Sequence, residues 1–230
     1  MKFWWVNTVP NGNFGDILTP CILDYFNIPF EFSNDFEAIS IGSIAKFARD
    51  KTIVLGSGIM GANQYLCPTA DWRFVRGPQT RTNVIESGGT CPEIYGDPAL
   101  LLPLMCDESK KEYDVGLVPH YMDYDQVKEQ YPDYPVVQLR TVDPLETAKE
   151  ITKCRTIISS SLHGIICAHA YGIPAAWVPF SNKLKGDGVK FKDHYEAVGL
   201  EAVASSMEDP QFTVGTFDTA MIEDIFRNLE

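Results

Sequence analysis

The sequence predicts an α/β protein with parallel sheets, divided into two domains at residues 1–105 and 106–230. Three observations point there. Short apolar runs rich in Val, Ile and aromatic residues recur along the 230-residue chain, and helix-length segments rather than tight hairpin turns separate them. In the middle, Cys91–Ser109 carries Pro92, Pro98 and Pro103 and runs into the polar stretch CDESKKE, which reads as a linker. Beyond it the alternation restarts, giving two units of roughly 110 residues each.

The first-half strands are expected at Lys2–Asn7, Ala38–Ile41, Thr52–Leu55 and Trp72–Val75. Between the first two, Leu18, Cys21, Ile22 and Tyr25 fall at i, i+3, i+4 and i+7, so one helical face can bury against the sheet. Pro20 then belongs in the first turn, where its missing amide costs nothing. The second-half strands are expected at Tyr113–Pro119, Val136–Leu139, Thr156–Ser159 and Pro174–Val178. Leu145, Ala148 and Ile151 mark one helix, Ile165, Ala168 and His169 another. Ile222, Ile225, Phe226 and Leu229 repeat the helical spacing at the end of the chain.

Composition narrows the function. With 45% hydrophobic and 22% charged residues the chain can build a core, which excludes disorder and a miniature disulfide scaffold. The 19 basic against 31 acidic residues give a net charge of -12, the wrong sign for a nucleic-acid partner or an anionic membrane surface. The six cysteines form no CxxC pair, so they read as reduced thiols of a cytoplasmic protein. The apolar start, Phe3–Val6, is too short for a signal peptide. The longest apolar stretch, Ile165–Val178, is interrupted by His169, Gly172 and Pro174 and predicts no transmembrane span.

Chemistry concentrates at strand-to-helix junctions. In TIISSSLHGIICAHAYGIP (Thr156–Pro174) a strand feeds a helix through a serine turn, leaving free amides and a helix dipole that favour an anion. Ser160, Ser161 and His163 would line that spot. The same serines can instead cap the helix, with His163 a structural side chain. In NTVPNGNFGDILTP (Asn7–Pro20), Asn13 and Asp16 stand at a helix entrance on the carboxyl edge of a sheet. Asp16 there is either a helix cap or a base and hydroxyl ligand. GSGIMG (Gly56–Gly61) follows a strand and brings Ser57 and Gly58 close to a ligand or a neighbouring loop, without the spacing of a dinucleotide or phosphate loop.

RFVRGPQTR places Arg76 at a strand end, where a guanidinium fork would face an interdomain cleft. GLVPHY puts His120 on the carboxyl edge of the second sheet. KLKGDGVKFKDHY (Lys183–Tyr195) holds four lysines against two aspartates, a positive loop suited to a small anionic ligand. Lys190 and Lys192 are its candidates, with Lys183 and Lys185 read as solvated. His169 and His194 read as structural. There is no HExxH, GxSxG or calcium-loop pattern, so the reading includes no metal.

Taken together these segments resemble the polysaccharide pyruvyl transferase family. The matching pieces are NFGD (Asn13–Asp16), GSG (Gly56–Gly58), VRGPQT (Val75–Thr80), YGDPALLLP (Tyr95–Pro103), GLVPHY (Gly116–Tyr121), SSLHGIICAHAYGIP (Ser160–Pro174) and KFKD (Lys190–Asp193). The resemblance implies two Rossmann-like domains facing across a cleft, as in GT-B glycosyltransferases, the first on the acceptor side and the second on the donor side. It also implies transfer of the enolpyruvyl unit of phosphoenolpyruvate to a sugar of a polysaccharide or its lipid-linked precursor. The product is a pyruvate ketal.

On that resemblance His163 protonates the donor or its leaving phosphate and Asp16 is the base toward the sugar hydroxyl. Arg76, Ser160, Ser161, His120, Asn13, Ser57, Gly58, Lys190 and Lys192 bind substrate, with phosphoenolpyruvate as donor and no resident cofactor. Some members carry Arg where this chain has Ser161, which leaves more of the donor charge to Arg76, Lys190 and Lys192. The implied location is cytoplasmic, extending to the inner face of the membrane. Two other readings stay open: a nucleotide-sugar glycosyltransferase of the same architecture, and an inactive glycan-binding relative.

Overall fold

The computed structural model describes residues 1–7, 11–183 and 186–229; Lys185 and residues 8–10 of the Asn7–Pro20 segment lie outside them. The first half supplies strands β1 (Lys2–Trp4), β2 (Gly12–Asn13), β3 (Glu31–Phe32), β4 (Ala38–Ile39), β5 (Ile53–Leu55) and β6 (Asp71–Phe74), with helices α1 (Leu18–Tyr25) and α2 (Pro78–Glu86). A 3-10 turn at Pro98–Leu101 runs into α3 (Leu102–Met105). The second half supplies β7 (Tyr113–Val118), α4 (Tyr124–Gln130), β8 (Arg140–Thr141), α5 (Pro144–Thr152), β9 (Cys154–Ser159), α6 (Leu162–Ala170), β10 (Ala175–Trp177), α7 (Val189–Ala197) and α8 (Ala220–Arg227).

Both larger sheets are parallel, so the α/β class holds. The first runs β3-β1-β4-β5-β6 and the second β10-β9-β7. Single bridges widen them, Val75 to Tyr95 on the first and Leu117 to Val136 on the second. In chain order its members give the first sheet a 2-1-3-4-5 sequence, and such a sheet opens a crevice at the carboxyl ends where its winding reverses. That point lies between β1 and β4.

Three sequence expectations change. Val136–Leu139 is not a strand beyond its one bridge, because the Leu139 carbonyl accepts the Phe14 amide (2.8 Å) and β8 pairs antiparallel with β2. The run touches the second sheet at Val136 and then leaves it for the N-terminal turn. The stretch read as a linker holds Pro98–Leu102, all buried. Pro98 and Pro103 stand in the first turns of the 3-10 turn and of α3, where they need no amide partner. The lysine-rich loop contains helix α7, whose Val189, Phe191 and Tyr195 are buried; its flanking glycines and charges hid a two-turn apolar stripe.

One hydrophobic cluster runs through both halves, from Phe3, Leu18 and Phe74 to Ile157, Ile165 and Phe226. Helix α8 returns to the first half, where the Phe226 ring stacks on Phe26 at 5.3 Å and meets Phe74 edge-on at 6.0 Å. Burying such an aromatic removes on the order of 150–250 Å² from water. No described helix is long and apolar enough to cross a membrane.

Candidate functional site

The carboxyl ends of the two sheets bring Asn13, Asp16, Asp97, His120, His163 and Lys190 into one cluster, each close enough to perturb a neighbour's charge. His163 is the second residue of α6. The N-cap, Ser161, makes no side-chain hydrogen bond to the helix, so the helix entrance keeps its positive end open toward the site. Gly15 packs flat on the imidazole, and a Cβ there would overlap the ring. This close approach explains why the turn before α1 carries glycine.

The His163 Nε2 faces Asp97 Oδ2 at 3.5 Å, and neither atom has a hydrogen-bond partner among the described residues. Asp97 is fully buried. Its other oxygen accepts the Ala99 amide at 3.0 Å, which caps the following 3-10 turn and fixes the carboxylate. Sequence reasoning missed Asp97 as a site residue. Its signal was the Asp-Pro step in YGDPALLLP, a helix-cap pattern that also aims the second oxygen outward.

Asp16 accepts a hydrogen bond from Asn13 Nδ2 at 3.0 Å. Burial raises its pKa above the ordinary carboxyl value, while His163 and then Asn13 pull it down. A carboxylate so placed is a better base than a solvated one. Lys190 faces the same carboxylate, and its own pKa is lowered by burial and by the charge of Arg76, with Asp16 opposing.

His120 is held by its surroundings. Its backbone amide donates to Ser160 Oγ at 2.9 Å, and that hydroxyl donates to the buried Asp123 at 3.2 Å. The imidazole Nδ1 accepts the Met122 amide at 3.3 Å, which leaves the proton on Nε2. Burial, and then Lys190, push its pKa down to about 4. It is a neutral hydrogen-bond donor at neutral pH.

Other expected residues sit elsewhere. Arg76 is fully buried, donating through Nε to Asp193 (3.0 Å), through one terminal nitrogen to Ser43 Oγ (2.8 Å) and through the other to the Ile59 carbonyl (2.7 Å). The expected cleft-facing fork is therefore corrected: it closes on Asp193. Gly58 lets the guanidinium lie against the backbone, since a Cβ would overlap it. The Ser57 hydroxyl donates to the Ser40 carbonyl inside the fold. Ser161 is buried, and its amide donates to Ser159 Oγ at 3.0 Å. Lys192 points to the other side of α7, where it pairs with Glu196 at 3.8 Å and borders a groove with Trp177, Asp187 and Gln79.

Asp193 is what these residues serve. Beyond Arg76 it accepts the Thr80 amide at 2.9 Å and the Thr80 hydroxyl at 2.6 Å. VRGPQT and KFKD thus form one buried latch between the halves, which sets α7 and with it Lys190. His169 and His194 form a separate buried pair, Nδ1 to Nε2 at 3.1 Å.

A family model described as Polysaccharide pyruvyl transferase matches residues 14–182. The chain is 34% identical over 171 residues to the uncharacterized protein L143 of Acanthamoeba polyphaga mimivirus, covering 70% of this chain and 60% of that one. It is 26% identical over 214 residues to the succinoglycan biosynthesis protein ExoV of Rhizobium meliloti (strain 1021), covering 86% of this chain and 65% of that one. The chain thus spans about two thirds or less of the length of these curated relatives. No solved structure matches it.

Proposed function

The chain belongs to the polysaccharide pyruvyl transferase family, and we propose that it transfers the enolpyruvyl unit of phosphoenolpyruvate to two hydroxyls of one sugar, on a polysaccharide or lipid-linked precursor. The observation that carries this reading is the convergence of Asp16, Asn13 and Asp97 from the first half with His163, His120 and Lys190 from the second. Domains 1–105 and 106–230, in a GT-B-like arrangement, would then present acceptor and donor respectively.

In the reaction the methylene carbon gains a proton and becomes a methyl group. Two sugar oxygens bond to the adjacent carbon, and its bond to the phosphate oxygen breaks. Of the two hydroxyl protons, one is matched by the methyl group and the other leaves with phosphate. His163, supported by Asp97, gives the proton to the donor carbon or the departing phosphate; Asp16 takes one from the attacking hydroxyl. The open end of α6 and Lys190 meet the donor's negative charge, and His120 donates from Nε2. The reading invokes no metal and no resident cofactor, and it places the reaction in the cytoplasm, where phosphoenolpyruvate is made.

The test is a calorimetric titration with phosphoenolpyruvate, followed by phosphate release across a panel of glycans. Donor binding with loss of turnover in His163→Gln and Asp16→Asn is expected. Normal turnover in a folded His163→Gln protein would sink the assignment.

A further inference from the structure

With Arg76 closed on Asp193, the described residues bring one half-buried lysine, Lys190, to the site, for a donor that carries a carboxylate and a phosphate. We propose that Arg140, which no sequence pattern singled out, is the guanidinium that holds one of these anionic groups at the mouth of the site. This rests on the reading above and deepens it.

Arg140 is the first residue of β8, and its backbone pairs with Asn13, the residue that holds Asp16. The connection between the halves therefore carries Arg140 to the carboxylate turn, although 127 positions separate the two in the register Asn13 to Arg140. Its guanidinium lies over the Tyr121 ring at 4.6 Å. Tyr121 in turn stands against His120, ring centroids 4.3 Å apart. Arg140 thus reaches the ring beside His120, the histidine that Lys190 faces from α7.

The charge of Arg140 is uncommitted. Among the described residues Arg73, Arg81, Arg155 and Arg227 each pair with a surface carboxylate and Arg76 with Asp193, while Arg49 lies over the Phe36 ring at 4.5 Å, in a segment that does not pair with the Asn13 turn. Arg140 is exposed, has no carboxylate in ion-pair range among the described residues and lies over an aromatic face. Stacking on tyrosine orders the planar fork while leaving its N–H edge free, which suits bidentate capture of carboxylate or phosphate oxygens.

The experiment titrates the full chain with phosphoenolpyruvate, inorganic phosphate and pyruvate separately, in the natural protein and in Arg140→Ala, Arg140→Lys and Lys192→Ala. Circular dichroism and Tm establish that each variant is folded. Arg140→Ala should weaken phosphoenolpyruvate binding at least tenfold, Arg140→Lys less, and Lys192→Ala not at all. Matching loss with phosphate, or with pyruvate, tells which anionic group Arg140 holds. Undiminished phosphoenolpyruvate binding by folded Arg140→Ala overturns the inference alone. Arg140-dependent binding of phosphate or pyruvate without phosphoenolpyruvate binding keeps the anion site and removes the donor reading. Binding of none of the three removes both. Should Arg140→Ala fail to fold, Arg140→Lys decides: affinity equal to that of the natural protein rejects the fork, and a severalfold loss upholds it.

Discussion

Arg76 and Asp193, 117 residues apart, meet at 3.0 Å with neither side chain exposed to solvent. A charge buried this deeply is tolerable only because each group is fully answered: Asp193 by Arg76 and Thr80, the guanidinium also by Ser43 and the Ile59 carbonyl. Removing one partner strands the other.

Asp193→Ala should therefore lower unfolding stability by about 3–5 kcal/mol, the usual loss when one member of a buried ion pair is deleted. Arg76→Lys should lose a similar amount, because an ammonium cannot reach three acceptors with the geometry of a fork. Urea unfolding measures both, and a loss under about 1 kcal/mol would show that the latch is dispensable.

Gly15→Ala should cut turnover more than it cuts stability. The added methyl group displaces the His163 ring, and a misplaced proton donor forfeits much of the 10²–10⁴-fold that such groups contribute, by an order-of-magnitude estimate. The check is turnover compared with Tm in one preparation.

Asp97→Asn keeps the shape and can keep the cap on the Ala99 amide, but it removes the charge facing His163. Turnover should fall by at least about tenfold with little change in Tm, because the buried carboxylate that faces the proton-transferring nitrogen is gone. Unchanged turnover in the folded variant would make Asp97 purely structural.

Acid should destabilise the fold through its neutral buried histidines. Burial holds His169 near pKa 4 and His194 well below its usual value, whereas in the unfolded chain both titrate near about 6.5. The unfolded state thus binds more protons between about pH 6.5 and 4, so stability is full above 6.5 and falls as pH drops through that window. For His169 alone the loss is roughly 3 kcal/mol. His169→Gln should flatten the slope of unfolding free energy between pH 6.5 and about 4.

Lys190→Ala should weaken donor binding, while Lys192→Ala should leave it unchanged. The two residues share a helix but face opposite sides, one toward Asp16 and the other toward Glu196. Equal effects in calorimetry would contradict that separation.

Periodicity sufficed for helix α1, which the i, i+3, i+4, i+7 spacing of Leu18 to Tyr25 outlines, and for the parallel strands around Thr52–Leu55 and Thr156–Ser159. These are local signals, written by burial of one face or of a whole strand. They failed where another part of the chain competes: Leu139 gives its carbonyl to Phe14, and no window centred on Val136 contains Phe14. Likewise the packed turn at Pro98–Leu102 reads as a linker, because proline marks a helix start and a chain break with the same letter.

The site divides in the same way. Asp16, His163 and His120 were legible because junctions at the carboxyl ends of parallel strands are where free amides and side chains converge, a consequence of local topology. Which side of α7 faces Asp16, that Arg76 closes on Asp193, that Asp97 aims its spare oxygen at His163, and that Arg140 arrives beside Asn13 were decided by tertiary packing. Each depends on two segments far apart in sequence meeting with a definite orientation. A charged group shows its type in the sequence, but its partner, and so whether its charge is spent or free, exists only once the chain has folded.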